Sequence, residues 1–412
     1  MAPDNSLENR DSDITASDLV KLASKIGPKL FDRRHTSSKN RCLPKDTIDD
    51  LKESKVLRAC MPKRFGGFEL PFGAHTDVAM ELAKSCGSTA WVSGIIGSHN
   101  WWLGKYQPEA QFEVWENDPD AIVGAAFAHK QGTKGTKTKG GYLVSGRWMW
   151  CSGSAHCDWV SLMTPIIKEN LPPELAMIIV PKEDYQIEDV WYSPGMRGSG
   201  SNDILIDEKF VPEHRITKLA DLNKKDSPGC SLNTGPVYKL PMLDVFGYSV
   251  AIPTLGCAIA THNHYLSEMT GRVGLDSAKI LEFQSQQLRA AESSMEIDAA
   301  LEIYRSDLCK MWNAAENNRE LKPHELNKFK RNCAYVATLA RRSATRIIEA
   351  MGATGIADSN PAYTSFSDTI AGASHRALSW DINGTIWGKE MFGLNKNESE
   401  VDRRMAPKEK HN

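Results

Sequence analysis

The 412-residue sequence lacks a long uninterrupted apolar run, and none reaches the ~18 residues that predict a membrane-spanning helix. Basic residues are not in excess either, because 50 Lys and Arg stand against 52 Asp and Glu, for a formal net charge of −2. A protein whose main partner is nucleic acid needs a basic surface, so that class is disfavoured. Residues 1–8 are polar and acidic, and no secretory signal is expected.

The nine cysteines are odd in number, irregularly spaced and without a Cys-x-x-Cys pair. This pattern predicts neither a zinc site nor a disulfide framework, and no metal site is expected. Free thiols are typical of a reducing compartment, so we expect a cytoplasmic protein. A Gly-x-Gly-x-x-Gly motif between a strand and a helix is also missing, which disfavours a dinucleotide-binding fold for NAD(P)H.

Three regions of different periodicity follow one another along the chain. Residues 15–118 repeat apolar positions at three- and four-residue spacing, which predicts an N-terminal helical domain. Residues 119–225 contain short runs of β-forming residues with connections too short for helices, which predicts a middle antiparallel β domain. The helical period returns over 226–395, most clearly at Gln284–Trp312, and 396–412 are expected to form a charged flexible tail.

Five short strings are each weak alone but occur in one order along the chain. They are Met61–Gly67, Gly140–Trp148, Trp150–Gly153, Gly195–Asp203 and Glu349–Gly355. Together with the helical, β, helical order, they resemble the acyl-CoA dehydrogenase superfamily. Within it, the chain most resembles the two-component flavin-dependent monooxygenases, such as the oxygenase components that act on p-hydroxyphenylacetate and dibenzothiophene. The resemblance implies an α+β fold ending in a four-helix bundle, and a homotetramer.

The resemblance also implies a flavin, FAD or FMN, lying against the turn that follows the Gly140–Trp148 string. Ser152 takes the place of the family's Ser or Thr hydroxyl that contacts flavin N5. The alternative is that Ser152 only caps a turn. Gly352 and Gly355 match a turn that binds the adenine half of a neighbouring subunit's flavin, while Arg197 is nearly as well explained as a surface turn. The residues assigned to cofactor binding are Phe127, Trp150, Cys151, Ser152, Arg197, Gly352 and Gly355.

His99, Ser152 and His375 are the candidate catalytic residues. Histidine, with an ordinary pKa near ~6.5, can accept a proton from a phenol or donate one to a peroxide. The resemblance places His99 near the substrate and His375 near flavin C4a, and a structural role is the alternative for each. Trp102 and Trp380 accompany them, and with His99 they are the candidate substrate contacts.

The function implied is hydroxylation of an aromatic or heteroaromatic small molecule by O2 and reduced flavin, through a C4a-(hydro)peroxyflavin. Acyl-CoA dehydrogenase activity is disfavoured because Asn383-Gly384 stands where those enzymes carry a Glu-Gly pair, and an amide is not a base. A separate NAD(P)H:flavin reductase would supply the reduced flavin. The alternatives are an N-oxygenase, a flavin oxidase or dehydrogenase on a small non-CoA substrate, and a catalytically silent binding or assembly subunit.

Overall fold

A computed structural model describes residues 14–274 and 277–394, so the predicted tail at 396–412 lies outside the described residues. A capping box opens the first helix, where the Thr15 hydroxyl accepts from the Asp18 amide and the Asp18 carboxylate accepts from the Thr15 amide. The N-terminal helices are α1 (Ala16–Asn40), α2 (Lys45–Glu53), α3 (Gly73–Ala83), α4 (Gly87–Leu103) and α5 (Pro108–Trp115). Every residue of α4 is buried, which makes it the central helix of this region.

One sheet follows, with its strands in the order β7-β8-β4-β3-β5-β6-β9, while β1 pairs with β5 and β2 with β4. The strands are β1 (Val123–Ala126), β2 (Ala128–His129), β3 (Lys134–Thr138), β4 (Gly141–Cys151), β5 (Trp159–Lys168), β6 (Leu171–Pro181), β7 (Gln186–Glu188), β8 (Asn202–Pro212) and β9 (Ile216–Lys218). The prediction of a wholly antiparallel sheet needs correction, because β1 and β3 both run parallel to β5. Short connections make consecutive strands antiparallel, but strands that are not consecutive can still become parallel neighbours.

The C-terminal part is helical, as predicted. Its helices are α6 (Leu219–Leu222), α7 (Met242–Val245), α8 (Gly247–Gly271), α9 (Gln284–Glu316), α10 (Pro323–Met351), α11 (Pro361–Ala373) and α12 (Trp380–Met391). Helices α8 and α10 contact each other, and both contact α9 and α11, as in the expected four-helix bundle. The α+β class and the helical, β, helical order are confirmed, and the exact domain boundaries stay predictions.

The segment Met242–Gly271, formed by α7 and α8, is long and apolar enough to cross a membrane by length and composition. It contains no uninterrupted apolar run of that length because Ser, Thr and His occur within it. In the structure, 89% of its most apolar 18-residue stretch is buried inside the protein. The segment therefore has the environment of a core helix, and it also packs against α3 of the N-terminal region.

Candidate active site

Helix α4 carries four buried aromatic side chains, which are Trp91, His99, Trp101 and Trp102. An α-helix has about 3.6 residues per turn, so Trp91 and Trp102, three turns apart, project from the same face. His99 lies between them and is 1% exposed. Trp91 was not among the residues predicted from the sequence, although its spacing from Trp102 was the available signal.

Ring contacts join side chains from four parts of the chain into what we call the aromatic cluster: Trp91, His99, Trp102, Phe127, Phe246 and His375. His99 stacks on Trp102 with ring centroids 4.6 Å apart and planes inclined by 27°. Phe127, from the β1–β2 connection, meets the same indole edge-on at 5.3 Å. Phe246 was also missed by the sequence analysis, because nothing local marks an aromatic residue at the α7–α8 junction.

His375 reaches the cluster from the turn after α11. Its ring centroid lies 6.2 Å from that of Phe246 and 5.8 Å from that of Trp91. The structure therefore brings together four residues predicted from the sequence, namely both candidate histidines, Trp102 and Phe127.

The hydrogen bond of His99 defines which of its nitrogens carries the proton. Nδ1 lies 2.5 Å from the Val123 carbonyl oxygen, which can only accept, so the Nδ1–H donates. Burial lowers the pKa of His99 to about 4, against the opposing effect of this bond. The ring is consequently neutral at physiological pH, and its Nε2 has a lone pair that can accept a proton.

His375 has the opposite arrangement. Its Nδ1 accepts the backbone N–H of Ala377 at 3.2 Å, so Nδ1 is unprotonated. In the neutral ring the proton then sits on Nε2, which is a donor. One aromatic cluster thus contains a histidine suited to accepting a proton and another suited to donating one.

Ser152 follows directly on β4 and is connected to the cluster through Trp91. The Trp91 Nε1–H donates to the Ser152 hydroxyl oxygen at 3.0 Å. Ser152 Oγ is also 2.8 Å from Ser201 Oγ, which is itself 2.8 Å from Ser199 Oγ. An indole can only donate, so Ser152 accepts from Trp91 and its own hydrogen points along the serine chain or toward a bound group.

Trp150 adopts a backbone conformation that bulky residues rarely take, with φ +66°. Its amide donates to Asp203 Oδ1 at 3.2 Å, and Asp203 is paired with Arg147 at 2.7 Å. The register of β4 against β8 shifts between Trp148 and Cys151, which accommodates the turn. Conformational strain held in place by its surroundings is a feature of functional sites.

The same turn leaves the Trp150 indole 56% exposed, whereas Cys151 is completely buried. The Ser152 hydroxyl, two residues further on, is buried and is bonded to Trp91 and Ser201. Trp150 therefore offers a large flat apolar surface at this turn, and Ser152 offers a polar group. Cys151 can do so only through its backbone, because its thiol lies in the core beside Cys157.

Arg197 uses its guanidinium within the protein. Its Nη1 donates to the Ser193 carbonyl at 2.9 Å and its Nε to the Ser38 carbonyl at 3.3 Å. These bonds hold the loop before β8 against α1. The next residue, Gly198, donates its amide to Ser88 Oγ at the start of α4, at 3.1 Å.

Gly352, Gly355 and Trp380 lie apart from the aromatic cluster within one chain. Gly352 is exposed at φ +64° and ψ −152°, a conformation that only glycine adopts readily, at the end of α10. Trp380 is 42% exposed, and its ring packs on Tyr335 at 5.2 Å. Asn383, which stands in place of the dehydrogenase carboxylate, donates its amide to the Ala377 and Ser379 carbonyls.

Asp368 links α11 to the loop before β8, since its Oδ1 accepts the Met196 amide at 2.5 Å. Burial raises the pKa of this carboxyl from 3.8 to about 7. A pKa raised on folding means that stability is greatest at low pH and is lost as pH rises toward and through 7. The neighbouring thiols, Cys86 and Cys257, keep their protons because burial raises the pKa of both.

We therefore expect Asp368→Asn, which keeps the acceptor oxygen, to reduce the pH dependence of stability. Between pH 5 and pH 8 the wild type should lose about 3 kcal/mol more unfolding free energy than the variant. Urea unfolding at the two pH values measures the difference. Parallel pH curves for the two proteins would show that the carboxyl is not protonated in the fold at pH 5.

Comparison with known proteins reveals similarity over nearly the whole chain. The family model "Acyl-CoA dehydrogenase, C-terminal domain" matches residues 248–380. The oxygenase subunit HsaA of a flavin-dependent monooxygenase from Rhodococcus jostii (strain RHA1) is 32% identical over 89% of this chain and 96% of its own length. The oxygenase component of an FADH2-dependent resorcinol hydroxylase from Rhizobium sp. (strain MTP-10005) is 28% identical, over 86% and 89% of the two chains. The crystal structure of 3-HSA hydroxylase from Rhodococcus sp. RHA1 superposes with a TM-score of 0.89 at 30% identity, over 94% and 98% of the two chains.

Proposed function

The chain belongs to the oxygenase components of the flavin-dependent monooxygenases, and we propose that it hydroxylates an aromatic small molecule with reduced flavin and O2. The observation that supports this most directly is the pair of histidines with opposite hydrogen-bonding roles in one aromatic cluster. A dehydrogenase would need a carboxylate base, and the residue in that place, Asn383, is an amide engaged with two backbone carbonyls.

The flavin would be held by the Trp150 indole on its flat face and by the Ser152 hydroxyl at N5. The chemistry that a bound reduced flavin supplies is the activation of O2 for transfer of one oxygen atom. Ser152 can direct its hydrogen toward a bound acceptor if Ser199 donates to Ser201 and Ser201 donates to Ser152, a direction that the three oxygen distances permit.

His99 would remove the proton of a phenolic hydroxyl through Nε2, which enriches the ring in electrons for attack by the activated oxygen. The neutral ring offers the lone pair that this step needs, and a phenolate formed beside it would raise the pKa of His99 by pairing with the protonated ring. His375 would donate its Nε2 proton to the oxygen that is being activated. The apolar rings of Trp102, Phe127 and Phe246 would exclude water, whose entry favours wasteful release of hydrogen peroxide.

We propose that a separate reductase supplies the reduced FAD or FMN. The names of the relatives as oxygenase subunits or components, and as FADH2-dependent in one case, support this. A cytoplasmic location is likewise proposed, since all nine cysteines are free thiols.

We also propose a homotetramer in which a neighbour completes the flavin site. Gly352 is exposed, and Ile356 in the same turn is 59% exposed. Phe392, after α12, is 82% exposed. Exposed apolar side chains of this size favour burial between subunits, and light scattering of the purified protein would determine the subunit number.

The proposed function is tested with chemically reduced FAD or FMN, O2 and a panel of phenols, indoles and thioethers. We expect a hydroxylated product that depends on both reduced flavin and O2. Quantitative release of hydrogen peroxide with no product, across the whole panel, would contradict the proposal. Reduction of bound oxidised flavin by a substrate without O2 would instead indicate a dehydrogenase, and the absence of any flavin binding would indicate a silent family member.

A further inference from the structure

Buried tryptophans in this protein differ in whether the indole N–H has a partner. Trp101 donates to the Val237 carbonyl at 2.8 Å, and Trp148 donates to the Met163 carbonyl at 2.9 Å. Across residues 14–274 and 277–394, the buried Nε1 atoms of Trp102 and Trp115 have no hydrogen-bond partner. A buried donor without a partner is unfavourable, and native proteins seldom retain one without a reason.

The two unpartnered indoles lie in different surroundings. Trp115 ends α5 and packs on Phe65 at 5.2 Å, outside the aromatic cluster. Trp102 is 0% exposed and stacks directly on His99, with Phe127 and Phe246 against its ring. Only Trp102 therefore has its unused donor among the residues where the proposed chemistry takes place.

We infer that the Trp102 Nε1–H binds the oxygen of a phenolic hydroxyl on the substrate, and that His99 Nε2 accepts the proton of that same hydroxyl. The inference rests on the proposed function and narrows its substrate class to phenols. A hydroxyl both donates and accepts, so it matches a donor and an acceptor carried by two stacked rings whose centroids lie 4.6 Å apart. An ether or thioether can only accept, and an unsubstituted ring can do neither.

With this hydrogen bond, Trp102 would also act as a positioning residue in the reaction. As the hydroxyl loses its proton to His99, its oxygen gains negative charge, and a hydrogen bond from Trp102 becomes stronger. The indole would therefore hold the phenol in a fixed position and favour its ionised form. Phenylalanine at this position keeps an aromatic ring and removes the N–H, together with part of the ring surface that packs on His99, Phe127 and Phe246.

The test compares Trp102→Phe with the matched control Trp115→Phe, which removes the other unpartnered indole N–H. Anaerobic calorimetry with reduced FAD present measures the binding of resorcinol, p-hydroxyphenylacetate and 2-naphthol. Each phenol is paired with the analogue in which a hydrogen replaces the hydroxyl. Without O2 there is no turnover, so the readout is independent of activity, and binding of reduced FAD is recorded first.

We expect Trp102→Phe to weaken the binding of the tightest-binding phenol about tenfold and to leave the binding of its analogue unchanged. Trp115→Phe should change neither, and it also controls for the smaller ring that each variant leaves in the core. An equal effect of Trp102→Phe on phenol and analogue, or no effect on either, would overturn the inference. So would a wild type that fails to prefer any phenol over its analogue, a result that needs no variant to fold. Phenol preference with no product under O2 would instead reject the proposed function alone.

Discussion

Replacing His99 with asparagine should lower the rate of substrate hydroxylation by about 10²–10⁴-fold, the usual contribution of a positioned general base. The asparagine Nδ2 occupies roughly the position of the histidine Nδ1, so it can still donate to the Val123 carbonyl that His99 contacts at 2.5 Å. What the variant lacks is a group that accepts a proton at the position of Nε2. The loss should therefore fall on chemistry, with little change in the fold.

The measurement is a single turnover with reduced flavin, O2 and a phenol accepted by the wild type, with product and hydrogen peroxide both quantified. His99→Asn should still consume reduced flavin but release most of the oxygen as peroxide. His99→Gln is the control for the other nitrogen, because it sacrifices the Val123 bond and places an amide near Nε2. A His99→Asn variant that hydroxylates within about threefold of the wild-type rate would rule out the base role, since a lost general base costs far more.

Removal of the hydroxyl at Ser152 should have the second large effect, on how efficiently O2 is used. Ser152→Ala is expected to release hydrogen peroxide about ten- to a hundredfold faster in the absence of substrate, because a hydrogen bond to the bound flavin is lost. The variant also leaves the Trp91 N–H, now 3.0 Å from the Ser152 oxygen, without its acceptor. Some loss of stability is expected for that reason.

Two matched variants separate these effects. Ser152→Thr retains a hydroxyl and should restore slow peroxide release. Ser201→Ala removes the next hydroxyl of the chain, 2.8 Å away, but leaves Ser152 and its bond from Trp91 intact, so a smaller effect is expected. Peroxide release per reduced flavin, followed over time without substrate, is the readout. Equal release by Ser152→Ala and wild type would contradict the assignment of this hydroxyl to the flavin.

Hydrophobic periodicity was sufficient to predict the order of helical and β regions, because period 3.6 and period 2 are local properties of a chain. The prediction of an antiparallel sheet was incomplete for the same reason. A short connection constrains only consecutive strands, and the parallel pairs of β1 and β3 with β5 are formed by strands that are not consecutive.

The candidate site shows the same division. The sequence by itself was enough to name His99, Ser152 and His375 as candidates, through its resemblance to the acyl-CoA dehydrogenase superfamily. It could not identify Phe246 as a member of the aromatic cluster, or show that Trp380 packs on Tyr335 instead of joining the cluster. Those outcomes depend on contacts between segments far apart in the chain.

The sequence therefore determined which chemical groups the protein has and the order of the elements that carry them. Only the tertiary structure decided what each group can do. Val123 and Ala377 are ordinary residues in the sequence, yet the carbonyl of one and the amide of the other give His99 and His375 opposite proton arrangements. The physical reason is that a histidine's protonated nitrogen is set by its hydrogen-bond partner, and the partner is chosen by the fold.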